Sequence, residues 1–195
     1  MNATADPQKA ADKKGAALMK AMTGRTCDEE ACLRLIAEGA NTDITDRNGY
    51  TLLYYAATAP APRVFAKLLD RESDIDRRMG SGKMSILFFT AAGGNTEALS
   101  LLLARGADVN TVNDRGHTPL MAATMNNHPE TVRLLLAAGA NPAAKDLNGK
   151  TALDHARDMA RPDIEPQLAE AMKNHAAMAI GRKLAVRPPL RLKPH

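Results

Sequence analysis

The stretch Asp114-Arg115-Gly116-His117-Thr118-Pro119-Leu120 decides how this chain is read. It is a turn followed at once by a helix start. The glycine suits a tight turn, the threonine can cap a helix, and the proline fits a first helical turn. The glycine recurs in phase: Gly15, Gly49, Gly82, Gly116 and Gly149 follow one another at a spacing that is constant to within one position. A second marker runs in step: Gly39-Ala40-Asn41, Gly106-Ala107-Asp108-Val109-Asn110 and Gly139-Ala140-Asn141, with Glu72-Ser73-Asp74 filling the remaining slot. Its first residue always lies ten positions before the turn glycine.

Four seven-residue stretches align without gaps at the same spacing: 30–36, 63–69, 97–103 and 130–136. Their apolar positions form three columns. The first is Cys32, Phe65, Leu99 and Val132; the second Leu35, Leu68, Leu102 and Leu135; the third Ile36, Leu69, Leu103 and Leu136. Steps of three and four place all three columns on one helix face. One repeat cannot bury such a face alone, so stacked repeats must do it together.

A period of about 33 residues carrying Gly-x-Thr-Pro-Leu and Gly-Ala-x-x-Asn resembles the ankyrin repeat family. The resemblance covers residues 12–175. It implies an all-α solenoid of helix-turn-helix pairs with short turn fingers. The expected domain is 1–180, with repeats at about 12–46, 47–80, 80–113, 114–146 and 147–177, followed by a tail at 181–195. The first inner helix is expected near Ala16–Thr23, in a degenerate repeat that caps the stack. In the third repeat one extra residue falls in the finger, Arg78-Met79-Gly80-Ser81-Gly82-Lys83-Met84. Pro60 and Pro62 mark a loop and an outer helix start. Pro166 is compatible with the last outer helix only if that helix begins near Asp163.

Composition narrows the function classes. With 195 residues and 45% hydrophobic ones, the chain can bury one sizeable core. No apolar run approaches the ~20 residues of a membrane span. The opening residues lack a signal peptide's apolar segment, so the protein is expected to be cytoplasmic, or periplasmic or secreted if a signal was removed. The basic residues Arg182, Lys183, Arg187, Arg191 and Lys193 crowd the tail. Without those five, 21 basic residues face 22 acidic ones. The high pI therefore comes from the tail, which argues against a nucleic-acid-binding face. The tail itself is proline-broken and expected to be non-helical and solvated, with partner contact as the alternative.

No catalytic, cofactor or metal set stands out, and no cofactor is expected. His117 falls at a fingertip, and His155 falls on an inner helix where a hydrogen-bonded structural role is expected. The repeated Asp and Asn near the fingers read as turn residues bonding local backbone. Cys27 and Cys32 stand five apart at a loop–helix junction. A bridge is sterically open to them and is expected if the protein is exported, while Cys32 also fits a core column.

The six aromatics, Tyr50, Tyr54, Tyr55, Phe65, Phe88 and Phe89, all fall between residues 50 and 89. Phe65 sits in a core column. Tyr55 and Phe89 read as core filler. In the family's Thr-Pro-Leu-His pattern the histidine slot is Tyr54 in one repeat and Phe88 in the next. The resemblance implies a non-catalytic scaffold that binds a protein partner through its concave finger and inner-helix face. Candidate contacts are Tyr50, Tyr54 and Phe88, with Lys83, Arg115 and His117 at the rim. An alternative is an inhibitor or bacterial immunity-type protein that blocks a toxin or enzyme. An enzyme is a distant third. A monomer is expected, since both end repeats look like caps.

Overall fold

The computed structural model describes residues 7–23, 27–59 and 61–185. Ten helices run through them: α1 (Pro7–Thr23), α2 (Glu29–Ala37), α3 (Leu52–Thr58), α4 (Pro62–Leu69), α5 (Ile86–Gly93), α6 (Thr96–Ala104), α7 (Pro119–Met125), α8 (Pro129–Ala137), α9 (Ala152–Asp158) and α10 (Glu165–Ala185). They form five pairs of one inner and one outer helix. Inner helices α1, α3, α5, α7 and α9 pack on each other in sequence, and outer helices α2, α4, α6, α8 and α10 do the same. Among the described residues the only β pairing is two isolated bridges at fingers, Thr45–Thr51 and Met79–Met84.

Local chemistry sets each helix start. The hydroxyls of Thr51, Ser85, Thr118 and Thr151 accept the N–H of Tyr54, Phe88, Met121 and Asp154, the residue three further on. Each satisfies an amide that the first helical turn leaves unpaired. Pro62, Pro119 and Pro129 open α4, α7 and α8, where no N–H is needed. Pro60 lies outside the described residues.

Nine of the twelve predicted column positions, Ile36 and Leu69 among them, are buried in the core, while Leu35, Leu103 and Leu136 pack against it half-buried. Cys32, Phe65, Leu99 and Val132 are all buried, as are Leu68, Leu102 and Leu135. Polar ties repeat at the same period. Asn95 donates to the Ala57 carbonyl at 2.8 Å, and Arg161 to the Met125 carbonyl at 2.8 Å. His128 Nε2 lies 3.0 Å from the Ala92 carbonyl oxygen. Three chemically different side chains, each one period after the last, thus bind the end of the preceding inner helix.

Four details differ from the sequence reading. α1 begins at Pro7, not near Ala16. Gly15 is therefore no turn glycine; it is buried inside α1, beneath the chain at Asn41. In the third finger the left-handed conformation falls on Gly80 (φ +68°) and Lys83 (φ +49°) and not on Gly82. The extra residue moves the turn's closing position by one, and Met79 and Met84 pair across a four-residue tip. Finally, α10 continues through 181–185, which were expected to be non-helical. The first helix-breaking proline after Gly181 is Pro188, so nothing stops the helix there. The rest of the tail, 186–195, lies outside the described residues. Pro166 sits in the first turn of α10, where it is tolerated.

Candidate functional site

Each regular finger is built around one side-chain oxygen. Asp46 Oδ1 accepts the N–H groups of Asn48 and Tyr50, both at 2.8 Å. Asn113 Oδ1 accepts those of Arg115 and His117, both at 2.9 Å. Asp146 Oδ1 accepts those of Asn148 and Lys150 at 2.8 and 2.9 Å. This Asx turn puts Tyr50, His117 and Lys150 in equivalent places just before an inner helix. The third finger has Met79 in the Asp/Asn slot. Its side chain is buried, with Thr51 Oγ1 3.4 Å from its sulfur.

The fold gathers five of the six aromatics into one cluster. Tyr50 and Tyr54 stack at 4.4 Å between ring centroids. Phe89 meets Tyr50 edge-on at 5.7 Å and Tyr54 at 4.7 Å. Tyr55 meets Tyr54 at 5.2 Å, and Phe88 meets Phe89 at 6.3 Å. Tyr50 also lies over the next finger, where a Cβ on Gly80 would come 2.7 Å from its hydroxyl oxygen. Tyr50, Tyr54, Tyr55 and Phe89 remain half-buried, whereas Phe88 is only 8% exposed. Phe88 is therefore a poor anchor, and Phe89, read as core filler, is the partly exposed ring. Both begin the same inner helix, and its rotation hides the first and shows the second. The phenol of Tyr55 donates to Asp46 Oδ2 at 2.9 Å, and burial together with that bond pushes its pKa up to about 12. Burial and the neighbouring Tyr50 also raise Tyr54. Both phenols thus stay protonated and able to donate at neutral pH.

Lys83 and Arg115 are exposed on adjacent fingers. The two fingers are joined by the Asp114 N–H, which donates to the Gly82 carbonyl at 3.1 Å. A shallow cleft of about 440 Å³ lies between them, lined by Ser81, Gly82, Met84, Asn113, Arg115 and His117.

His117 is less exposed than a fingertip position suggests. Its side chain is 15% exposed, and its Nε2 lies 3.5 Å from Asp146 Oδ2. His155 Nε2 lies 2.9 Å from the same oxygen, in keeping with its expected hydrogen-bonded role. The two imidazoles cross at 85° with centroids 5.7 Å apart. The Asp146 side chain is fully buried. Burial pushes its pKa up, but the Lys150 N–H and His155 outweigh that and hold it below the usual carboxylate range. Burial also lowers His117, which favours its neutral form. Sequence reasoning misses Asp146, although it stands in phase with Asp46 and Asn113.

Cys27 and Cys32 are free thiols with sulfurs 3.9 Å apart. Burial, then the neighbouring Cys27, pushes the Cys32 pKa up to about 12, so that thiol is a weak nucleophile. Among the described residues no helix is long and apolar enough to cross a membrane.

Residues 82–176 match a family model described as ankyrin repeats (3 copies). Among curated proteins, the chain is 34% identical over 126 residues to "Ankyrin repeat, SAM and basic leucine zipper domain-containing protein 1" of Atelerix albiventris. It is 33% identical over 126 residues to the protein of that name in Mus musculus. Each match covers 62% of this chain and 26% of the relative, so the chain spans a minor part of those proteins' length.

Proposed function

We propose, from the premise that this chain is an ankyrin repeat protein, that it is a non-catalytic scaffold whose partner docks on the second and third repeats. Ankyrin repeats generally mediate protein–protein interaction, and the family is typically non-catalytic. The aromatic cluster carries the reading for this chain. Tyr50, Tyr54 and Phe89 keep part of their rings exposed on one surface, although burying them would stabilise the fold. Aromatic anchors of this kind dominate protein interfaces. Lys83 and Arg115 add positive charge beside them, which favours a partner with acidic residues around an apolar centre.

The test is an affinity series against a partner isolated with the full chain. Truncating one anchor typically costs ~2 kcal/mol or more, so Tyr54→Ala and Phe89→Ala should each weaken binding by tens of fold. Lys83→Glu should mainly slow association. Unchanged affinity in both aromatic variants, with helical content intact by circular dichroism, would remove the partner from this face.

A further inference from the structure

We propose that His117, Asp146 and His155 form a binding site for a late first-row divalent metal ion of the zinc, nickel or cobalt class. The repeats supply their own comparison. In the second repeat, Asp46 builds the same turn as Asp146, and its free oxygen takes one hydroxyl, that of Tyr55, at 2.9 Å. In the fourth, Asn113 builds the turn with Ala122 in the slot of Tyr55 and His155. The finger therefore folds with a hydroxyl there, or with no polar side chain at all.

Among the described residues, only the carboxylate of the fifth finger, Asp146, meets two imidazoles. His155 comes from α9, and His117 from the finger of the preceding repeat. The 2.9 Å contact accounts for His155 as a hydrogen-bond donor. The 3.5 Å contact of His117 is too long for that role. The turn does not need this second ring, which meets Asp146 only by this long contact and His155 edge-on.

A coordinated ion would use all three groups. Their ligand atoms lie within 4.8 Å of one another. The two measured separations, 2.9 and 3.5 Å, bracket about 3.3 Å, the edge of a tetrahedron with ~2.0–2.1 Å bonds. Asp146 is buried and its second oxygen is held by two backbone amides, which fixes the carboxylate. The histidine side chains keep 11% and 15% of their surface exposed, and a water molecule would complete a tetrahedral shell as the fourth ligand. Two imidazole nitrogens and one carboxylate suit borderline metals and not calcium or magnesium, which prefer all-oxygen shells. Each ring would ligate through Nε2 in its Nδ1–H tautomer, so a neutral ring need release no proton. The ion would join the fourth finger to the fifth repeat. The ion site uses none of the aromatic rings, so a zinc titration without partner tests it independently of the partner reading.

The test is calorimetric titration of the chelator-treated full chain with zinc chloride, alongside melting curves. Wild-type protein should take up one equivalent and melt at a higher temperature, and millimolar magnesium should not compete. His155→Tyr recreates the Tyr55–Asp46 pair of the second repeat, so it should fold normally when metal-free. It should nevertheless bind zinc about tenfold or more weakly. His117→Gln should weaken zinc binding similarly, and His128→Gln should not. Absence of zinc binding, or equal binding by wild type and His155→Tyr, would overturn the proposal; the second result would move the ion elsewhere, for instance to the cysteine pair.

Discussion

Gly15 shows how one residue can carry a repeat's spacing without its role. It lies one period before Gly49 and so resembles the turn glycines, yet it sits inside a 17-residue helix. An interior glycine ordinarily costs about 1 kcal/mol relative to alanine. Here a Cβ would lie 2.5 Å from the carbonyl oxygen of Asn41, a backbone atom that cannot swing aside. That strand of chain is tied down, because the Asn41 N–H donates to the Ala11 carbonyl at 3.0 Å. Gly15→Ala should therefore destabilise the protein by about 1–3 kcal/mol, against its helix propensity. Gly93 is the control. It ends α5 with open space around its missing Cβ, so Gly93→Ala should be neutral or stabilising by up to ~1 kcal/mol. Urea denaturation of both variants checks the pair; a Gly15→Ala protein as stable as wild type would show that the Asn41 loop yields.

The helices were the most legible elements, because most of the outer-helix burial follows from the sequence columns, with Leu35, Leu103 and Leu136 only half-buried. Phe65 fills the column held by cysteine, leucine and valine in the other repeats, and it is 1% exposed. Phe65→Ala should cost about 3–5 kcal/mol and lower the urea midpoint, while leaving the half-exposed aromatic surface in place. A loss under ~1 kcal/mol would mean that the repeats collapse into the space. Caps were legible too, since a hydroxyl before an apolar run has one main local use. Helix ends at the edges of the stack were not. α1 and α10 exceed their expected limits because no neighbouring finger or proline interrupts residues 8–15 or 181–185. The site was only half legible. Confinement of the aromatics to two repeats was plain, but whether Phe88 or Phe89 shows its ring depends on the rotation of α5, which packing sets. The meeting of His117 and His155 on Asp146 depends on the stacking angle between repeats, and a periodic pattern carries no record of that angle.

At the scale of the whole molecule, the helix pairs of the described residues pack chiefly on their neighbours in sequence, so stability is roughly a sum of repeats and interfaces, with fingers contributing locally. Several carboxylates in these local structures are held below their usual pKa. For Asp46, partial burial acts upward, but the Tyr50 N–H, the Tyr55 hydroxyl and the Asn48 N–H outweigh it. For Asp154, the N–H and hydroxyl of Thr151 lower it. A carboxylate whose folded pKa lies below its unfolded value of ~3.9 stabilises the fold fully above that value. The stabilisation is lost as the pH falls through the folded value and the carboxylates of the native state take up protons. The urea midpoint should thus change little from pH 8 to about pH 5 through these groups and drop steeply below about pH 4. Asp46→Asn separates charge from geometry, because Asn113 already builds the same turn with a neutral amide. The variant should keep its helical content, start with a lower midpoint at pH 7, and lose less of it on acidification, so that the two curves converge as the pH falls through the folded value of Asp46. Parallel curves over that whole range would mean that Asp46 titrates alike in the folded and unfolded chains.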